Sequence, residues 1–170
     1  MPTDLTSVIA ASARWLLAAY PAPAGALSKA LAEAQARQAV TLAAALRYPT
    51  GLDVQLLHLL GPSGAQRLDW VTGCDLYPDG DAWRTWVDET VVSWAACLLA
   101  DCSLLALAYQ ALTATEHHAA ASGLQRLINP NARDTDAAAL LRHPDLLEGI
   151  ATLYRAQLVE LLTVDNAALP

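Results

Sequence analysis

Phenylalanine is absent from the 170 residues, and lysine occurs only at position 29. β-Branched residues are few and no stretch sustains a period-two alternation, so strands have little to build on. The three cysteines, Cys74, Cys97 and Cys102, include no C-x-x-C pair. Their odd number, with neither a basic flank nor an apolar run at Met1-Pro2-Thr3-Asp4, points to reduced, buried thiols in the cytoplasm. Cys97 and Cys102 are five positions apart, on different faces of a helix. Glu-x-x-His, His-Glu-x-x-His, the G-x-S-x-G elbow and glycine-rich phosphate loops are all missing, which removes the common metal, hydrolase and nucleotide signatures. A formal net charge of −7, with arginines scattered singly, argues against a nucleic-acid interface and against a basic membrane-surface helix.

What is present is apolar and helix-forming. Alanine and leucine dominate a composition that is 55% apolar and 16% charged, with a mean hydropathy of +0.29. Such a chain is long enough for one domain with a real core. The expectation is a single all-helical domain over residues 1–164 with a loose tail over 165–170.

Helix punctuation is dense. A first helix is expected from a Thr3 cap to Tyr20, stopped by Pro21 and Pro23, and a second from Ala24 to Arg47, closed by Pro49. Thr50 with Asp53 reads as a capping box for a short helix ending at Gly61, and Ser63 with Gln66 as one for another ending at Gly73. This pair of short helices could form a helix-turn-helix, but its second member carries one arginine, Arg67. The segment 74–81 has calcium-loop elements in Asp75, Asp79 and Gly80. Tyr77 and Trp86 stand where ligands are needed, and Asp81 is more simply a helix cap. A long core helix is expected from Ala82 to Ala114, with Trp83, Trp86, Val87, Val91, Trp94, Leu98, Leu105, Tyr109 and Leu112 over one wide face. Val91 to Leu112 is nearly all apolar, but Asp101 at its centre costs about 2.5–3.5 kcal/mol in a bilayer and basic flanks are lacking, which favours a core helix over a membrane span. Asn129-Pro130 should kink or restart the next helix. His143-Pro144-Asp145 opens the last, with Leu146, Ile150, Leu153, Leu158 and Leu161 inward.

Two histidine-bearing stretches look like ligands. Glu116, His117 and His118 are adjacent, so on a helix they diverge by about 100° each and suit a solvated surface better than one ion. His58, within a leucine run, reads as a packed histidine.

One internal echo stands out. Gln35-Ala36-Arg37-Gln38 recurs as Asn131-Ala132-Arg133-Asp134, and each follows an aspartate, Asp4 or Asp101, by roughly thirty residues. A helix out, a short loop and a helix back would set each pair at one level of a four-helix bundle. That layout resembles the ferritin-like superfamily, in particular the subunits of the phenylacetyl-CoA epoxidase type of multicomponent monooxygenase. The run Tyr77-Pro78-Asp79-Gly80-Asp81 leading to Trp86 is similar to the entry to that bundle's third helix. The resemblance implies a ferritin-like four-helix bundle with extra short helices and a C-terminal helix. Where Glu-x-x-His would stand, this chain has Gln35 with Gln38 and Asn131 with Asp134, a set poor in metal-binding groups.

The resemblance therefore implies no metal, no cofactor and no catalytic residue, and a buried layer of Asp4, Gln35, Gln38, Asp101, Asn131 and Asp134 in place of the metal site. It implies a structural or partner-binding subunit, paired with itself as a homo-oligomer or with a catalytic ferritin-like partner. Two alternatives stay open: a small-molecule binder or enzyme with a cavity lined by Trp86, Trp94 and Tyr109, and an interaction adaptor on an unrelated helical fold.

Overall fold

The computed structural model describes residues 4–73 and 82–167. The Thr3 cap, Cys74, the calcium-like stretch with its Asp81 cap, and the tail over 168–170 lie outside them. Among the described residues the regular structure is entirely helical: α1 (Thr6–Ala19), α2 (Ala26–Arg47), α3 (Gly51–Leu60), α4 (Gln66–Thr72), α5 (Glu89–Ala100), α6 (Cys102–Leu112), α7 (Gln125–Ile128), α8 (Ala132–Ala137) and α9 (Pro144–Ala167), with 3₁₀ turns at Ala82–Trp86 and His118–Gly123. α9 thus runs past the boundary expected at residue 164. No described helix is long and apolar enough to cross a membrane.

Two helices organise the rest. α2 packs against α1, α5, α6, α7 and α8, and Ala32, Ala36, Ala39 and Ala43 on its inner side have no exposed surface. Alanine at spacings of three and four gives a smooth stripe that lets neighbouring backbones approach. α5 is buried along nearly its whole length, Glu89 through Leu99, as expected of a helix apolar on all sides. Around them Trp15, Leu16, Leu42, Leu98, Leu112, Leu147 and Leu158 complete the core.

The expected long helix is in fact three pieces. The 3₁₀ turn ends at Trp86, α5 starts after Asp88, and α6 starts after Asp101. Both breaks have the same cause, a carboxylate taking free backbone N–H groups. Asp88 Oδ1 accepts from Val91 N at 3.1 Å. Asp101 Oδ1 accepts from Ser103 N at 2.9 Å and Leu104 N at 3.2 Å. An aspartate offers more to a helix start than to a helix interior, so the apolar pattern carries on while the backbone does not. The break leaves Cys102 exposed while Cys97 is buried, so the expectation of buried thiols holds for Cys97 and fails for Cys102.

The capping box of Thr50 and Asp53 is present, as is the left-handed Gly73 that ends α4 (φ 69°). Ser63 and Gln66 form no such box. α4 starts with no side-chain cap of its own; instead Ser63 Oγ accepts from Glu89 N at 3.0 Å and Glu89 Oε1 accepts from Arg67 N at 2.7 Å. The starts of α4 and α5 thus cap each other across 22 residues. After Pro130 the chain restarts as expected, through a capping box of Asn131 and Asp134. Regular helix then lasts only to Ala137.

α9 lies along α5 and is interrupted at Tyr154 (φ −131°, ψ 16°). The interruption frees backbone groups, and α5 supplies their partners. Ser93 Oγ accepts from Tyr154 N at 3.1 Å and donates to Ala151 O at 3.1 Å. Cys97 Sγ also donates to Ala151 O (3.3 Å), and Trp94 Nε1 donates to Tyr154 O (3.0 Å). Closer to its start α9 meets α4, where a Cβ on Gly149 would come within 3.1 Å of Val71 Cγ1. Leu146, expected inward, is 47% exposed, since the inward side of that turn belongs to Leu147 and Ile150.

Replacing Ser93 with alanine strands a buried N–H and weakens the support of a carbonyl at once. The expected cost is about 1–3 kcal/mol, read as a lower urea midpoint with an unchanged slope.

Candidate functional site

The four residues of the two echoed motifs converge, at the junction of α2, α7 and α8. Gln35 is fully buried; its Nε2 donates to Asp134 O at 2.8 Å and to Leu31 O at 3.2 Å. Gln38 Oε1 accepts from Leu127 N at 2.8 Å, at the start of α7. Asn131 Oδ1 accepts from Asp134 N (2.9 Å) and Asp134 Oδ2 from Asn131 N (3.0 Å). Asp134, also buried, takes Arg126 NH1 on Oδ1 at 2.9 Å.

The two lone aspartates do not join them. Asp4 is exposed at the start of α1, where its Oδ1 accepts from Thr6 N at 3.1 Å and its carbonyl from the His58 ring at 2.8 Å. Asp101 caps α6 and is half-buried. In place of the expected buried six-residue layer there is a four-residue cluster in which Gln35 and Asp134 are buried, Gln38 is half-buried and Asn131 is exposed. For Asp101 the hairpin spacing assumed unbroken helices, and the break there with the short α7 and α8 changes the register; Asp4 lies ahead of α1 rather than on it.

The electrostatics of this cluster are those of a closed structural knot. The backbone N–H of Asn131, then Arg126 and Arg142, hold the Asp134 carboxyl below its ordinary value of 3.8, against the opposing effect of desolvation. Arg142, missed in the sequence, is half-buried, and its NH2 donates to Leu127 O at 2.7 Å. Burial lowers its pKa while Asp134 raises it. Gln35 Oε1 is the one buried oxygen of the cluster without a partner. Both Asp134 oxygens are occupied by N–H donors, and no imidazole is present. Among the described residues no group of three or more His, Cys, Asp or Glu could share a metal ion.

The histidines act as ties. Glu116 Oε2 accepts from Gly51 N at 2.6 Å, and the His117 ring donates to Tyr48 O at 2.7 Å. The His118 ring bonds Thr115 O at 3.2 Å. Glu116 and His118 are solvent-exposed as expected, but on a turn and 3₁₀ segment that pins the start of α3. Beside it the Tyr48 hydroxyl donates to Asp88, whose N–H reaches Ser12 Oγ at 3.3 Å. Burial first, and then the Asp88 charge, push the Tyr48 hydroxyl well above its usual value.

Among the described residues no recess is lined by Trp86, Trp94 and Tyr109 together. Trp94 is sealed in the seam of α5 and α9. Tyr109 is partly buried on α6, and Trp86 lines a shallow recess of about 250 Å³ with Ser7, Ala10, Ala11, Arg14 and Trp83. Trp86 also meets His58, ring centroids 5.5 Å apart and tilted by 56°; His58 is half-buried rather than packed in the core.

The surface carries what the interior does not. Leu52, Leu56, Leu59 and Leu60 of α3 are 65%, 46%, 78% and 79% exposed. They follow the i, i+4, i+7, i+8 rule of a packing stripe, while Val54 and Leu57 bury the opposite side. The signal was in the sequence, but a run of leucines reads as core unless each face is counted separately. The chain matches no family model, no curated protein and no solved structure.

Because the Asp134 pKa is depressed in the fold, its contribution to stability is full above 3.8 and drains away as pH falls below it. Asp134→Asn should flatten that acid limb and cost about 1–2 kcal/mol at neutral pH, checked by urea melts between pH 7 and pH 3.

Proposed function

We propose that this chain is a non-catalytic helical subunit whose work is to hold a partner. The observation that carries the reading is the exposed leucine stripe of α3. Roughly 1.5–3 kcal/mol attends the burial of one leucine side chain. The exposed fractions of these four amount to between two and three leucines, so the stripe withholds several kcal/mol that docking would recover. A helix apolar on both sides is a poor solution for a monomer and a good one for an interface.

The polar side chains support the same reading from the other direction. Gln35, Gln38, Asn131 and Asp134 are spent on backbone groups and caps, as are Asp88, Asp101 and Glu116, so the described groups best suited to chemistry are engaged in holding the fold. The finer proposal is a ferritin-like member in which this knot stands where a metal layer would be, with a catalytic sister as one possible partner. What supports it is the meeting of the two echoed motifs at one junction.

Two measurements test this. Elemental analysis after anaerobic incubation with ferrous iron should find less than stoichiometric metal; a stoichiometric site would overturn the non-catalytic reading. Chemical crosslinking of the purified chain, alone and in extract, should give products that Leu56→Glu/Leu59→Glu loses. Identical products from both proteins would remove α3 from the interface.

A further inference from the structure

We propose that the occupant of the α3 face is a second copy of this chain, docked α3 against α3 about a two-fold axis. The inference rests on the partner-binding reading above and names the partner.

Charge selects the occupant. Each copy carries a formal −7, so two copies repel unless they meet where carboxylates are absent or balanced. Residues 54–66 contain no Asp, Glu, Lys or Arg. The charged residues lining the adjoining groove are Arg47 and Asp53, one of each sign. Apart from Glu116 at its Gly51 end, the face is thus balanced in charge on a strongly acidic body. It lacks the charge that would steer an oppositely charged partner and the cluster of basic residues that would hold it on an anionic lipid surface.

Shape points the same way. A groove of about 300 Å³ runs between the end of α2 and α3, lined by Arg47, Tyr48, Leu56, Leu57 and Leu60 among others. Leu52 and Leu59 are outside that lining and more exposed than Leu56. Projection and recess therefore occur on one surface, which is what an isologous contact requires: each copy's projecting leucines enter the other's groove. The area is modest, so the dimer should be reversible and concentration-dependent.

Sedimentation of the full chain over a wide concentration series tests this. The expected result is a shift from 18.0 kDa toward twice that mass. Leu56→Glu/Leu59→Glu should weaken the association at least tenfold with an unchanged circular-dichroism spectrum. Should that pair of substitutions disturb folding, Gln55→Glu keeps every leucine, sets like charges across the seam, and should weaken the dimer several-fold. Val159→Glu, on α9, should leave it unchanged. Wild-type protein that stays at 18.0 kDa throughout, or dimers that survive the α3 substitutions, would overturn the proposal. A monomer whose crosslinks in extract still depend on Leu56 and Leu59 leaves the partner-binding reading standing without the second copy. A monomer with no such dependence sinks both.

Discussion

The seam between α5 and α9 is the constraint on which the rest of the molecule depends. A helix interrupted in its middle has backbone groups that water cannot reach, and α9 at Tyr154 is such a helix. Ser93 answers with one hydroxyl used twice, accepting from the Tyr154 N–H and donating to the Ala151 carbonyl. Trp94 and Cys97 complete the set. The direction of α9 beyond the interruption is therefore fixed by side chains of α5, and the position of α5 by the burial of all its faces.

The same logic recurs wherever a helix starts. Glu89 and Ser63 exchange caps between α4 and α5. Glu116 supplies the first N–H of α3 with an acceptor from 65 residues away, and Gln38 reaches 89 residues to Leu127 at α7. In a fold of short helices, termini make up much of the backbone, and each leaves up to four unpartnered groups. Long-range caps turn that liability into tertiary structure. They also explain why the polar residues are so fully committed.

Local signals were legible in the sequence where one residue type dictates one conformation. The Thr50–Asp53 box, the ends at Gly61 and Gly73, and the restart after Pro130 all follow from side-chain and backbone geometry within a few residues. The breaks at Asp88 and Asp101 were not legible, because hydrophobic spacing reads through an aspartate that the backbone does not. The pairing of Ser63 with Glu89 depends on tertiary proximity that no local pattern encodes. At the candidate site, the echoed motifs did identify four residues that meet. The distance argument that added Asp101 failed because it assumed an uninterrupted rod, and Asp4 lies ahead of α1, engaged with Thr6 and His58.

The alanine stripe of α2 and the leucine stripe of α3 impose opposite constraints on successive helices. At Ala32, Ala36, Ala39 and Ala43 there is no exposed surface, so any larger side chain overpacks several elements together. Drift there is closed in one direction, toward bulk. On α3 the outer positions touch nothing that the fold needs, and polar replacements would leave the core intact. The outer leucines of α3 shape only the surface that the chain presents, whereas the alanines of α2 set how closely its own helices approach.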